Sequence, residues 1–368
     1  MKNILCCLYL LLFYPASGQT LKKESIQNKA WTKATRYARQ YVDSLQHAQD
    51  IPGISVCVGN ADNILWAEGF GLADLETHQP VTIHSRFRLG SVSKSLTSFA
   101  IGKLIEEKKL DLDIAIQNYV PSFPVKAYPF TARQLATHTS GIRHYRASDP
   151  LSCLQRYATV LESLSIFNKD SLLFKPGTAY QYSTYGYSLL SAVIEGASHL
   201  DYLTFMKQAV FDPLNMAETC ADYSDSIVAN RVRFYEHTHG KRVNATQVDN
   251  SYKWAGGGML STSTDLVRLG REFLHPTLLS QKTLDLLISP QLLLDGTNTH
   301  YGMGWRIGTD AQNRRIIHHG GLIDGGRAFL LIYPEHNLVV AILANMSGVT
   351  INLPEVETIA HYFFTANR

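Results

Sequence analysis

Cysteine is scarce in this chain, at 5 of 368 residues, and two of the five, Cys6 and Cys7, fall within the first ten. The other three, Cys57, Cys153 and Cys220, are odd in number and irregularly spaced, which argues against a disulfide framework and gives no C-x-x-C zinc pair. Histidine reaches 14 residues, yet no H-E-x-x-H or H-x-H-x-D-H segment occurs. His237-Thr238-His239 is followed by Gly240-Lys241, too few ligands for a metal hydrolase, so neither a metal nor a cofactor is expected. An excess of one charge is also missing: 34 basic residues stand against 31 acidic ones, interspersed and without a basic stripe, so nucleic acid is not an expected partner. The apolar run Ile4–Phe13 falls short of the roughly 20 residues that span a bilayer. With Met1-Lys2-Asn3 before it and Ala16-Ser17-Gly18 after it, the segment has the layout of a signal peptide over residues 1–18, which predicts a secreted or periplasmic protein with no integral span once the leader is removed.

Residues 19–368 contain no repeat, low-complexity tract or Pro/Gly/Ser linker, and read as a single domain. A helix is predicted over Lys29–Gln49. Strands follow at Gly53–Val58 and Ile64–Ala67, joined by the turn Gly59-Asn60-Ala61-Asp62-Asn63. More strands are predicted at Gly304–Ile307, Arg315–His318, Ala328–Tyr333 and Leu338–Leu343, then a last helix over Glu355–Thr365. Between them the periodicity turns helical: Leu96, Phe99, Ala100 and Leu104 fall on one stripe, and Ser188–Ala197 and Leu203–Val210 behave alike. The economical fold is α+β: one antiparallel sheet built from residues 19–88 and 300–368, flanked by helices, with a mainly helical region, 89–299, inserted beside it and a cleft at the junction. Cys57, alternating with apolar neighbours, reads as core.

Three short motifs carry chemistry. Gly90-Ser91-Val92-Ser93-Lys94 places S-x-x-K at a helix start, and residues three apart share a helix face. A serine hydroxyl needs a neighbouring base, which a desolvated lysine supplies, while free backbone N–H groups at the helix start suit an oxyanion. The bland alternative is a serine helix cap beside a solvated lysine. Phe174–Leu190 crowds Tyr180, Tyr182, Tyr185 and Tyr187 together; most must be packing residues, but one phenol near a lysine can move a proton. In His318-His319-Gly320-Gly321 a strand ends in glycines that admit a ligand close to the backbone, although a strand histidine is more often structural.

In combination and order, S-x-x-K, a tyrosine triplet and an H-x-G strand resemble the serine β-lactamase-related and penicillin-binding-protein family of the class C type. Supporting stretches are Phe87–Ser91, Gln134–Ile142, Lys175-Pro176-Gly177, Gly256–Thr262 and Tyr301–Trp305, and the likeness spans roughly Asp50 to Asn345. Within the family, Ser140–Tyr145 and Tyr182-Ser183-Thr184 most resemble the animal mitochondrial serine β-lactamase-like branch, a peptidase that forms filaments. This leader lacks that branch's arginine-rich presequence, so its location is not carried over. The resemblance implies Ser91 as acylated nucleophile, Lys94 and Tyr182 as base and acid, and substrate binding by Thr184, His319, Gly320, Gly321 and Leu322. The backbone N–H groups of Ser91 and Leu322 would form the oxyanion hole. Thr184 stands where most relatives have asparagine, and His319 where lactam hydrolysers have lysine. No E-x-x-L-N segment offers a class A deacylation glutamate. The expectation is a serine hydrolase acting on a peptide or a small amide or ester, foremost a peptidase. A β-lactamase, a D-alanyl-D-alanine carboxypeptidase and an esterase share its acylation step, a non-catalytic binding or filament scaffold is the contrasting class, and a homo-oligomer is compatible with either.

Overall fold

The computed structural model describes residues 24–149 and 154–365, which leaves the leader and Cys153 outside the described residues. One antiparallel sheet of eight strands organises it. Across the sheet run Ile26–Gln27, Ile64–Asp74, Gly53–Gly59, Leu338–Ala344, Gly326–Tyr333, Arg315–Ile323 and Arg306–Thr309, with Gln79–Pro80 added to Ile64–Asp74. The two chain ends therefore meet at its centre, where Ala341 lies opposite Cys57 and Ile342 opposite Val56.

Strand alternation explains why Leu338–Ala344 is apolar at every position. Val339, Ala341 and Leu343 join one core with Cys57, Ala67, Leu266, Val267 and Leu269. Val340, Ile342 and Ala344 join the other with Val56, Val58, Ala38, Val42, Ile359 and Phe363. Side chains of period two reach both faces, and both faces are covered. Helices Thr32–Ala48 and Leu353–Thr365 cover one, and Ser263–Arg271 packs against the other. Each Val, Leu, Ile or Phe side chain among them taken out of water contributes about 1.5–3 kcal/mol, so this strand anchors the fold.

Three expectations need correction. The helix that carries Lys94, Ser93–Glu106, is not amphipathic: Ser93 through Gly102 and Leu104 are all buried. Its polar side consists of small hydroxyls that find partners inside. Ser95 Oγ donates to Gly304 O at 2.8 Å, Thr97 Oγ1 to Ala255 O at 2.9 Å, and Ser98 Oγ accepts from Trp305 Nε1 at 3.0 Å. The strand at His319 does not end at the glycines but runs on to Ile323. Helix Leu203–Val210 is a short α-helix, Tyr202–Met206, followed by a wide turn over Lys207–Phe211. Cys57 is fully buried in the core. Among the described residues no helix is long and apolar enough to cross a membrane, and no group of three or more His, Cys, Asp or Glu is arranged to hold a metal.

Candidate active site

Ser91 sits on the 3-10 turn Gly90–Val92 that leads directly into helix Ser93–Glu106. Gly90 adopts φ +49°, a left-handed conformation that glycine tolerates, and any β-carbon there would meet Leu322 backbone atoms at 2.8–3.0 Å. From the other side, a β-carbon on Gly321 would lie 1.9 Å from Leu89 O and 3.2 Å from Ser91 N. Glycines on both partners let strand Arg315–Ile323 press against the turn. The flanking strand pairs Arg306 with His318 and reaches no further, so from His319 onward this edge is open. Ile323 and Gly326 close a two-residue hairpin, and alternation along the ladder turns the Leu322 N–H toward the open edge, beside Gly90. Leu322 is 61 % exposed.

Lys94, one turn further on, is fully buried. Its Nζ lies 3.2 Å from Ser91 Oγ, 3.2 Å from Thr184 Oγ1 and 2.5 Å from Gly256 O. Burial pushes this amine well below the ordinary lysine range, and the positive charges of Lys253 and Arg306 push it further. A neutral amine has two N–H donors and one lone pair. Gly256 O and Thr184 Oγ1 take two N–H donors, and the third position of the nitrogen faces Ser91 Oγ, where the neutral form presents its lone pair. Gly256 must be small here, because a β-carbon would strike Thr184 Cγ2 at 2.6 Å.

Tyr182 precedes helix Thr184–Ser198, whose N-cap is Ser183: its Oγ accepts from Gly186 N at 2.9 Å. The Tyr182 phenol hydrogen-bonds Ser91, and the Lys94 amine lies 4.8 Å from its ring centre. Burial raises this phenol above the tyrosine range and the Ser91 bond only partly opposes that, so it stays protonated at neutral pH. Of the neighbouring tyrosines, Tyr185 donates to Asp149 at 3.0 Å and Tyr187 to Ala136 O at 2.8 Å. They pack, and Tyr182 alone of the described four turns its hydroxyl to Ser91.

Ser91, Lys94, Tyr182 and Thr184 thus converge, with Gly320, Gly321 and Leu322 alongside. His319 does not join them as a cation. It is 1 % exposed, its Nε2 lies 2.9 Å from Tyr301 Oη and its Nδ1 2.7 Å from Gly320 O. Burial, with Lys94 and Arg306 nearby, holds it well below the histidine range. The cation that does stand at the mouth is Arg306, an exposed residue with its guanidinium carbon 5.7 Å from the ring centres of both Tyr182 and Tyr301. No carboxylate among the described residues pairs with it. Nothing in the sequence pattern singled out Arg306 or Lys253, and His144, whose Nδ1 accepts from Thr184 N at 3.2 Å, lay within the Ser140–Tyr145 likeness without a role attached. Tyr301 and Gly256 lay within stretches that the family likeness covers, without a role attached.

Comparison with known proteins identifies the family. The family model described as Beta-lactamase matches residues 38–351. Human "Serine beta-lactamase-like protein LACTB, mitochondrial" is 31% identical, over 88% of this chain and 79% of its own length. "Penicillin-binding protein 4*" of Bacillus subtilis (strain 168) is 27% identical, over 79% of this chain and 67% of its own. Among solved structures, the octameric penicillin-binding protein homologue from Pyrococcus abyssi superposes with TM-score 0.75 at 23% identity, covering 90% of this chain and 76% of that one. By the family match over most of its length, the chain belongs to the β-lactamase family of serine hydrolases.

Proposed function

We propose that this protein is a serine hydrolase working through an acyl-enzyme on Ser91, and that it is foremost a peptidase. The observation that carries the reading is the fully buried Lys94 amine 3.2 Å from Ser91 Oγ, with its donors spent on Gly256 O and Thr184 Oγ1. Lys94 takes the Ser91 proton as Oγ attacks the substrate carbonyl carbon. The backbone N–H groups of Ser91 and Leu322 hold the oxyanion. Tyr182, kept protonated by burial, gives its proton to the leaving nitrogen as the C–N bond breaks, and the Lys94 proton replenishes it. Water then removes the acyl group by the same transfers in reverse. Two neighbouring groups pushed in opposite directions thereby divide the work of base and acid.

Thr184 acts through Lys94, and Gly320, Gly321 and Leu322 line the strand along which an extended substrate lies. His319 supports Tyr301, and Arg306 is free to receive a substrate carboxylate, which suits a peptide end better than a neutral ester. The signal-peptide layout supports a secreted or periplasmic location. Assembly into a homo-oligomer is part of the same proposal and is read by light scattering.

Intact mass spectrometry after incubation with a fluorophosphonate, and separately with a penicillin, tests the chemistry. A single fluorophosphonate adduct that disappears in Ser91→Ala, with none from penicillin, is expected. An unlabelled wild type, or a labelled Ser91→Ala, would refute the assignment.

A further inference from the structure

We propose that His138 is a positioning residue that fixes the Tyr182 phenol against Ser91, an inference that rests on the hydrolase reading above. His138 follows helix Ala132–Ala136 and adopts φ +61°, which turns its carbonyl and its ring toward the same segment. Its carbonyl oxygen accepts from Gln181 N at 3.0 Å. Its Nδ1 accepts from Ser183 N at 3.1 Å. Tyr182 is bracketed between those two bonds, and its ring centre lies 4.3 Å from that of His138. One residue therefore grips the backbone on both sides of the phenol and lies against the ring itself.

The grip fixes the tautomer. Because Nδ1 accepts, the proton resides on Nε2. That atom is buried without a hydrogen-bond partner, in a cage formed by the rings of Tyr180, Tyr182, Tyr187 and Tyr301. A second proton on Nδ1 would face the Ser183 N–H, donor against donor. Burial of the ring opposes that second proton, and the positive charge of Arg306 opposes it further. The residue thus serves as a fixed acceptor, and its contribution is geometric: a displacement of about 1 Å at a proton donor costs about 10²-fold in rate.

The decisive experiment exploits the leaving group. Breaking an amide requires the proton that Tyr182 supplies, whereas a p-nitrophenyl ester expels a stable anion unaided. One acyl group that the wild type accepts is offered as its p-nitroanilide and as its p-nitrophenyl ester, to wild type, His138→Gly and His138→Asn. Glycine fits the left-handed backbone and removes both acceptor and ring; asparagine fits it and restores an acceptor close to the Nδ1 position. His138→Gly is expected to lose about 10²-fold in kcat/KM on the anilide and less than about fivefold on the ester, and His138→Asn to recover most of the anilide loss. Equal losses on both substrates, an unchanged anilide rate in His138→Gly, or no recovery in His138→Asn overturns the inference while Ser91 labelling keeps the hydrolase reading intact. A wild type whose Ser91 takes no fluorophosphonate overturns both.

Discussion

Replacing Lys94 with methionine should change the pH dependence of stability in a way that reports the charge state of the amine directly. Burial, aided by Lys253 and Arg306, holds the folded-state pKa well below the ordinary value, while lysine in an unfolded chain titrates near roughly 10.4. Between those two values the unfolded chain binds one proton more than the folded one. Stability therefore rises with pH across the window and is lost as pH falls toward the folded-state pKa. One proton corresponds to about 1.4 kcal/mol per pH unit inside that window. Methionine exchanges no proton and is expected to lack this slope. The Gly256 carbonyl, deprived of its 2.5 Å donor, adds a penalty of about 1–3 kcal/mol to the variant at every pH. That offset cancels when the two slopes are compared, and so does the titration of Lys253, which both proteins share and which burial pulls down to about 8 in the wild type. Urea denaturation of wild type and Lys94→Met at pH 7, 8 and 9 should show the stability difference moving in favour of wild type as pH rises, by up to about 1.4 kcal/mol per pH unit. A difference that stays flat would mean the amine is charged in the folded protein, and Lys94 could not then accept the Ser91 proton.

Two shorter predictions bear on the same site. Tyr182→Phe should lower the acylation rate on an amide by about 10²-fold or more, measured as kcat/KM, while leaving the fold unchanged, and a full-rate variant would remove the phenol from the chemistry. Arg306→Ala should raise KM about tenfold or more for peptides ending in a free carboxylate and leave C-terminally amidated peptides unaffected; equal effects on both would show that Arg306 reads no carboxylate.

The elements most legible in the sequence were those whose local pattern and global environment agree. Leu338–Ala344 is apolar throughout because both sheet faces are covered, and Gly53–Gly59 is buried throughout for the same reason, with Ser55 satisfied by Ser263. The meeting of Ser91, Lys94 and Tyr182 was legible because the motifs set the first two on one helix start and the third on a loop, and it needs only that the helical region pack beside the sheet. Helix Ser93–Glu106 misled because its serines and threonines count as polar in any periodicity, yet each hydroxyl is short enough to find a donor or an acceptor within the core. Residue type cannot distinguish a hydroxyl aimed at water from one aimed at a carbonyl more than two hundred positions away, such as Gly304 O.

His319 and Arg306 show the same principle acting on charge. Two residues thirteen positions apart occupy neighbouring strands, and the ladder sets Arg306 opposite His318, next to His319. Period two then decides their fates: His319 turns inward to Tyr301, loses its charge to burial and becomes a support, while Arg306 stays exposed and keeps its charge at the mouth. A family pattern that assigns the cation to the H-x-G strand identifies the right edge of the sheet. Which strand of the pair presents that cation is set by register, and register becomes readable only when the ladder is known.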